Sequence, residues 1–212
     1  MSATFRGSPR HMQNATPVAD DADPYLGQDE GGRTVPEGFL YFSAFLSPSE
    51  IDQYMKWVVS LTFEHQKFRG QMMKRGQAMF GYEYRANFRN VQQAAPFPTI
   101  LQDLAGRVKS LCPSEVCFNQ CIITEYPPGA GIGWHTDARV FSDCIAGLSL
   151  GAPADFLLQK GPNPGDRFHV HASAGSLYVM TGVVRWHYQH CVKPVRATRY
   201  SLTFRCVETL AG

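Results

Sequence analysis

The segment from Gly131 to Val140 reads GIGWHTDARV and sets a histidine and an aspartate two residues apart, directly after a tryptophan. In a strand every second side chain projects from the same face, so His135 and Asp137 are expected to point together. One imidazole nitrogen and one carboxylate aimed at a common point suit a metal that accepts both. A third ligand must come from elsewhere. His11 lies in a polar amino-terminal stretch and His65 in a polar segment ahead of a β-rich region, which leaves His169, His171, His187 and His190. His187 and His190 differ by an odd number, so in a regular strand only one of them faces the site. The HVH pair at His169 and His171 is a rival metal pair, but it adjoins NPGDRF, whose composition is that of an exposed hairpin.

A second constellation lies near the chain's end. In RYSLTFR, residues Arg199, Ser201, Thr203 and Arg205 share one strand face, and Tyr200, Leu202 and Phe204 share the other. The two arginine Cα atoms are about 20 Å apart in an extended strand, so both serve one small site only if their side chains lean together. An arginine fork matches a carboxylate with two hydrogen bonds. An arginine on such a face therefore predicts an anionic cosubstrate. His-x-Asp, a further histidine and a carboxylate-binding arginine fit a non-heme Fe(II) oxygenase. Its three open metal positions take a bidentate 2-oxoacid and O₂.

These residues need a frame. With 212 residues and 44% hydrophobic content, the chain can bury one sizeable core. No apolar run reaches the roughly 18 residues of a membrane span, and a net charge of +2 says little about partners. Six cysteines without a C-x-x-C pair fit reduced thiols and a cytoplasmic setting, or a nuclear one in a eukaryote. The start is basic up to Asp20 but poorly amphipathic, so organelle targeting is not expected. Residues 1–35, rich in Gly, Pro, Ser, Asp and Asn, read as a disordered tail with an acidic balance, and residues 36–212 as the folded domain. SPSEIDQYMKWVVSL predicts a helix: Ser47 caps it, Pro48 opens it, Glu50 completes a capping box, and Ile51, Tyr54, Met55 and Val58 face inward. TILQDLAGRVKSL predicts a second, through Ile100, Leu101, Leu104 and Val108. From Cys117 onward, short β-rich runs alternate with PPGAG, GAPA and KGPNPGD turns. The expected fold is mostly β with flanking helices, a jelly roll or double-stranded β-helix. Residues 36–112 would carry helices and a lid, and 113–207 the jelly-roll core.

With these motifs in place, the chain resembles the AlkB family of Fe(II)/2-oxoglutarate dioxygenases over about residues 36–207. TEYPPGAGIGWHTD matches that family's Asn-x-Tyr-x-Pro-Gly…His-x-Asp segment; RWHYQHCV resembles its Arg-x-x-Tyr/Trp-x-His-x-Ile/Val segment; RYSLTFR is close to its Arg-x-Asn-Leu-Thr-Phe-Arg, all in the family order. The resemblance selects His190 over His187 and implies that His135, Asp137 and His190 bind Fe(II). It implies that Arg199 grips the far carboxylate of 2-oxoglutarate. Arg205 would brace the other carboxylate or Asp137, and Tyr126 would hydrogen-bond the cosubstrate. Thr124 and Ser201 replace asparagines usual in the family.

Between Phe63 and Asn90, Lys67, Arg69, Lys74, Arg75, Arg85 and Arg89 face only Glu64 and Glu83, with Phe63, Phe68, Phe80, Tyr82, Tyr84 and Phe88 interleaved. Cations track phosphates and aromatic faces stack on bases. The family's corresponding region is a substrate lid, resembled here by KRGQAMFGYEY. It makes Lys74, Arg75, Phe80, Tyr82 and Tyr84 candidate substrate contacts, with Phe80, Tyr82 and Tyr84 on one face; the rival reading is a charged edge hairpin with core aromatics. Trp134, alternate-facing to His135, belongs either to the core or to the base-stacking set. The expected activity is oxidative demethylation of N-alkylated bases in DNA or RNA, in a repair role, by a monomer using Fe(II), 2-oxoglutarate and O₂. The alternatives are the same chemistry on a protein or small molecule, or a non-catalytic cupin-like metal- or RNA-binding module.

Overall fold

A computed structural model describes residues 34–68, 70–85, 90–112, 115–163 and 167–207. The expected tail thus lies outside the described residues except for its last two, and Val35 already packs against the core. Arg69, Phe88 and Arg89 also lie outside, as do the side chains of Phe68 and Arg85.

Among the described residues twelve strands and three helices follow the order β1 (Phe39–Phe42), α1 (Pro48–Val58), β2 (Glu64–Phe68), β3 (Gln71–Arg85), β4 (Asn90–Gln93), α2 (Thr99–Lys109), β5 (Gln120–Tyr126), β6 (Ile132–His135), β7 (Phe141–Gly151), β8 (Ala154–Gln159), β9 (Arg167–Ala172), β10 (Leu177–Met180), α3 (Gly182–His187), β11 (Gln189–Val192) and β12 (Arg199–Val207). They form two sheets. The major one runs β1-β10-β7-β12-β5-β3-β2, with β4 on β3, and the minor one runs β6-β11-β8-β9. This is the expected jelly roll. Strands β1 and β3 hydrogen-bond into the same sheet as β5, β7 and β12, so the major sheet continues across the division drawn at residue 112.

The major sheet has two apolar faces, each with its own core. On the outer face α1 and α2 lay Tyr54, Val58, Leu101, Leu104 and Val108 against Ile123, Leu148, Leu202 and Phe204. Helix α1 has the predicted capping box: Ser47 Oγ accepts from the Glu50 amide, and Glu50 accepts from the Ser47 amide. Ile51 and Met55 are only partly buried, at the edge of the contact. On the inner face Phe39, Tyr126, Ile145, Phe156, Leu158, Tyr178 and Val192 fill the space between the sheets. At the mouth of that inner layer polar residues replace apolar ones, and there the site lies.

Candidate active site

Strand alternation on β12 builds one wall. Tyr200, Leu202 and Phe204 enter the outer core, while Arg199, Ser201, Thr203 and Arg205 line a cavity between the sheets. The register β12 to β5 sets Arg199 opposite Tyr126, Ser201 opposite Thr124 and Thr203 opposite Ile122, so β5 extends that wall. Tyr126, Thr124 and Ser201 all face the cavity, and the Tyr126 ring lies 5.2 Å from the Arg199 guanidinium. The cavity has an empty volume of about 530 Å³, counted out to where it opens to solvent.

The minor sheet supplies the opposite wall. In the β6–β11 ladder His135 and His190 are direct partners, and their rings lie 4.2 Å apart. Nδ1 of His135 bonds the Gly133 carbonyl at 2.9 Å. A carbonyl only accepts, so Nδ1 carries the proton and Nε2 is left with its lone pair. His190 Nε2 is 3.5 Å from Asp137 Oδ2. His187 ends the short helix α3 and is exposed; it is not on a strand at all, so alternation never arbitrated between it and His190.

Asp137 corrects the simplest expectation. Strand β6 stops at His135, so Asp137 does not share a strand face with it. Its position comes from arginines instead. Arg205 Nη2 donates to Asp137 Oδ1 at 2.5 Å. Arg185, 3% exposed, donates to four carbonyls of the loop that carries Asp137 and of the start of β7: Asp137 at 3.3 Å, Ala138 at 2.8 Å, Phe141 at 2.9 Å and Ser142 at 3.1 Å. Arg185 stands inside RWHYQH, where no role was expected of it. An arginine five residues before a site histidine was the available signal.

Electrostatics follow from this packing. Burial alone would raise the Asp137 carboxyl, but Arg205, His190, His135 and Arg185 bring it down to about 2. Burial pushes the His190 imidazole down to about 3, against the pull of Asp137. The pair therefore presents a carboxylate and a neutral imidazole at ordinary pH. Several buried polar atoms have no hydrogen-bond partner among the described residues: Asp137 Oδ2, Arg199 Nε and Nη1, and Arg205 Nε. Among the described residues Arg199, 1% exposed, has only a 3.0 Å side-chain bond to Ser149 Oγ. A buried cation lacking its anion and a buried carboxylate oxygen lacking a donor are the gaps that a dianionic 2-oxoacid and a divalent metal fill. Ser149 and Tyr178 also escaped sequence reading. Tyr178 enters the cavity because its ladder partner Gly147 leaves room, since a Cβ there would lie 2.2 Å from the ring.

The lid residues divide. Arg75 lines the cavity beside Gln77, its Nε buried without a hydrogen bond, while Lys74 is exposed near Gly129. Phe80 does not reach the cavity; it packs on Trp57 and the outer core. Tyr82 is half-buried, and Tyr84 meets Phe141 edge-on at 5.7 Å. The expected common face for Phe80, Tyr82 and Tyr84 is interrupted at Gly81, whose φ of +80° bends β3 away from β5 and onto β4. Trp134 belongs to neither expected set: it is half-buried outside the cavity lining, under the Arg167 guanidinium at 5.2 Å. His169 and His171 both turn to Asp155, at 3.0 and 3.6 Å, away from the cavity.

Comparison with known proteins agrees with this geometry. Residues 38–205 match the 2OG-Fe(II) oxygenase superfamily. The chain is 30% identical over 169 residues to the Xenopus tropicalis tRNA (carboxymethyluridine(34)-5-O)-methyltransferase alkbh8, covering 76% of this chain and 26% of that protein. The Mus musculus ALKBH8 is 30% identical over 173 residues, covering 77% of this chain and 25% of its own length. The chain therefore spans about a quarter of these curated relatives. The solved structure of OsALKBH1 superposes with a TM-score of 0.64 at 15% identity, covering 82% of this chain and 98% of that one. A Trichoplax adhaerens prolyl hydroxylase bound to a hypoxia inducible factor peptide fragment gives 0.58 at 18% identity, covering 81% and 84%.

Proposed function

Because this chain belongs to the 2OG-Fe(II) oxygenase superfamily, in its AlkB group, we propose that it is an oxidative demethylase of N-alkylated bases in nucleic acid. The family's cofactor and cosubstrates are Fe(II), 2-oxoglutarate and O₂. Together they supply the oxidising power that converts a methyl C–H bond to C–OH while 2-oxoglutarate leaves as succinate and CO₂. The hydroxymethyl group then departs from nitrogen as formaldehyde.

The chain's residues supply the rest. His135, Asp137 and His190 would hold the iron. Arg199 grips the far carboxylate of 2-oxoglutarate, with Tyr126, Thr124 and Ser201 on the same wall. Arg205 keeps Asp137 ionised and aimed. The observation that carries this reading is the buried Arg199 guanidinium, with no anionic partner among the described residues, facing the His, Asp and His groups across one cavity. Nucleic acid as substrate rests on Arg75 in the cavity lining, on Lys74 exposed beside it in β3, and on relatives named as acting on tRNA. A methylating activity is not part of this reading, since the cavity is built for an oxidant and the match covers a quarter of those relatives.

One observation favours a second reading. Phe80 and Trp134 stay out of the cavity, which leaves fewer aromatic faces to stack on a base than the sequence promised. The same oxygenase acting on a protein or small molecule needs no such platform. Succinate and formaldehyde release on a panel of methylated DNA and RNA oligonucleotides separates the two, with His135→Ala as control. Formaldehyde matched to base repair and absent from the variant is the expected result. Succinate without repair on any oligonucleotide overturns the nucleic-acid reading and keeps the oxygenase.

A further inference from the structure

Two sulfurs meet in the outer core, outside the cavity lining. Cys144 Sγ donates to Cys112 Sγ at 3.1 Å. Cys112 sits in the turn that follows α2, half-buried, its Sγ also 3.5 Å from the Val108 carbonyl. Cys144 is the fourth residue of β7 and is 2% exposed. Neither lines the cavity, and no step proposed above uses them.

We propose that Cys112 and Cys144 are a modification site, forming a reversible internal disulfide that ties the end of α2 to the major sheet. The sulfurs need to approach by roughly 1 Å to bond. Cys112 lies beyond the last helical residue, so rotation of its side chain supplies that movement. The pair is also asymmetric in the way exchange requires. The hydrogen bond from Cys144 holds the Cys112 thiol below its ordinary value, while the same bond and burial raise Cys144. The more accessible sulfur is thus the better thiolate, and the buried one is the proton donor.

The oxidant is a small disulfide such as glutathione disulfide. The Cys112 thiolate attacks one of its sulfurs, a mixed disulfide forms and one glutathione thiolate leaves. The Cys144 sulfur then attacks the Cys112 sulfur, closing the internal bond and expelling the second glutathione. The protein's two thiols lose two electrons and two protons, and glutathione disulfide takes up both as two thiols. The closed loop spans residues 113–143 and so includes Tyr126, His135 and Asp137. Closing it restrains the unfolded chain.

The full chain, equilibrated in glutathione buffers of stepped redox ratio, quenched by alkylation and peptide-mapped, tests this. The expected result is loss of two of the six thiols, one cross-linked peptide pair holding Cys112 and Cys144, reversal by dithiothreitol, and a Tm higher by roughly 5 °C in the oxidised form. Cys112→Ser removes the link and the Tm response, whereas Cys117→Ser, at an exposed cysteine, leaves both. A stable glutathione adduct on Cys112 with Cys144 still a thiol overturns the proposal. So does a two-thiol loss that disappears with Cys117→Ser.

Discussion

Arg199 is the residue on which the cosubstrate reading turns. It is 1% exposed and bonded only to Ser149 among the described residues, a costly state for a cation unless an anion arrives. Arg199→Gln is expected to raise the KM for 2-oxoglutarate by roughly 10- to 100-fold, since a bond to a charged partner is worth about 1.5–3 kcal/mol. The Tm of the metal-free variant should not fall, because an unpaired buried charge has gone. Succinate kinetics and a melting curve read the two effects. His190 makes the second prediction at this scale. Its folded pKa is about 3 against an ordinary 6.5. Between those values the unfolded chain takes up a proton that the folded chain refuses, so stability falls as pH drops from 6.5 and the loss stops growing below about 3. Denaturant unfolding of the metal-free protein across that window checks it, and His190→Gln should flatten the slope.

At the scale of elements, two features position the site from outside it. Helix α3 is only six residues long, too short to be stable alone; its use is to hold Arg185 under the carbonyls of residues 137, 138, 141 and 142. Arg185→Ala is expected to weaken Fe(II) binding by about 10-fold or more while Arg199 stays in place. An anaerobic iron titration read by optical absorption measures this, and partial rescue by Arg185→Lys separates positioning from general unfolding. Strand β3 depends on Gly81, where φ is +80° and a Cβ would lie 1.9 Å from the Asn119 carbonyl oxygen. Gly81→Ala should cost more than about 1 kcal/mol and disturb the β3–β4 hairpin ahead of the core. A fall in Tm with a rise in substrate KM is the expected pair of readings. The failed alternation of the lid aromatics has the same origin. Alternation assumes a regular strand, and a left-handed glycine in its middle breaks the assumption.

Over the whole molecule, the cavity is a seam between two sheets, with Arg199 on one wall and His190 on the other. Whatever fills it ties both sheets together. Anaerobic loading with Fe(II) and 2-oxoglutarate at 100 times the dissociation constant should therefore add about 2.7 kcal/mol of stability. Scanning calorimetry with and without the pair measures it, and an unchanged Tm would count against the assigned site. If nucleic acid is the substrate, its affinity should also fall with salt as phosphate contacts release counterions.

Read alone, the sequence determined most of what local periodicity can carry. The capping box of α1, the apolar stripe of α2, the strand rich half beyond Cys117 and the two faces of RYSLTFR all depend on neighbours within one element. So did the family, because its motifs occur in order along the chain. Tertiary structure decided what depends on residues far apart. It set His135 against His190 across a ladder, aimed Asp137 through Arg185 and Arg205 from 48 and 68 residues away, and brought Ser149 to Arg199. It also sent Phe80 into the outer core and Trp134 beneath Arg167. Spacing fixes which way a side chain leaves its own backbone; only the packing of other elements fixes what it meets there.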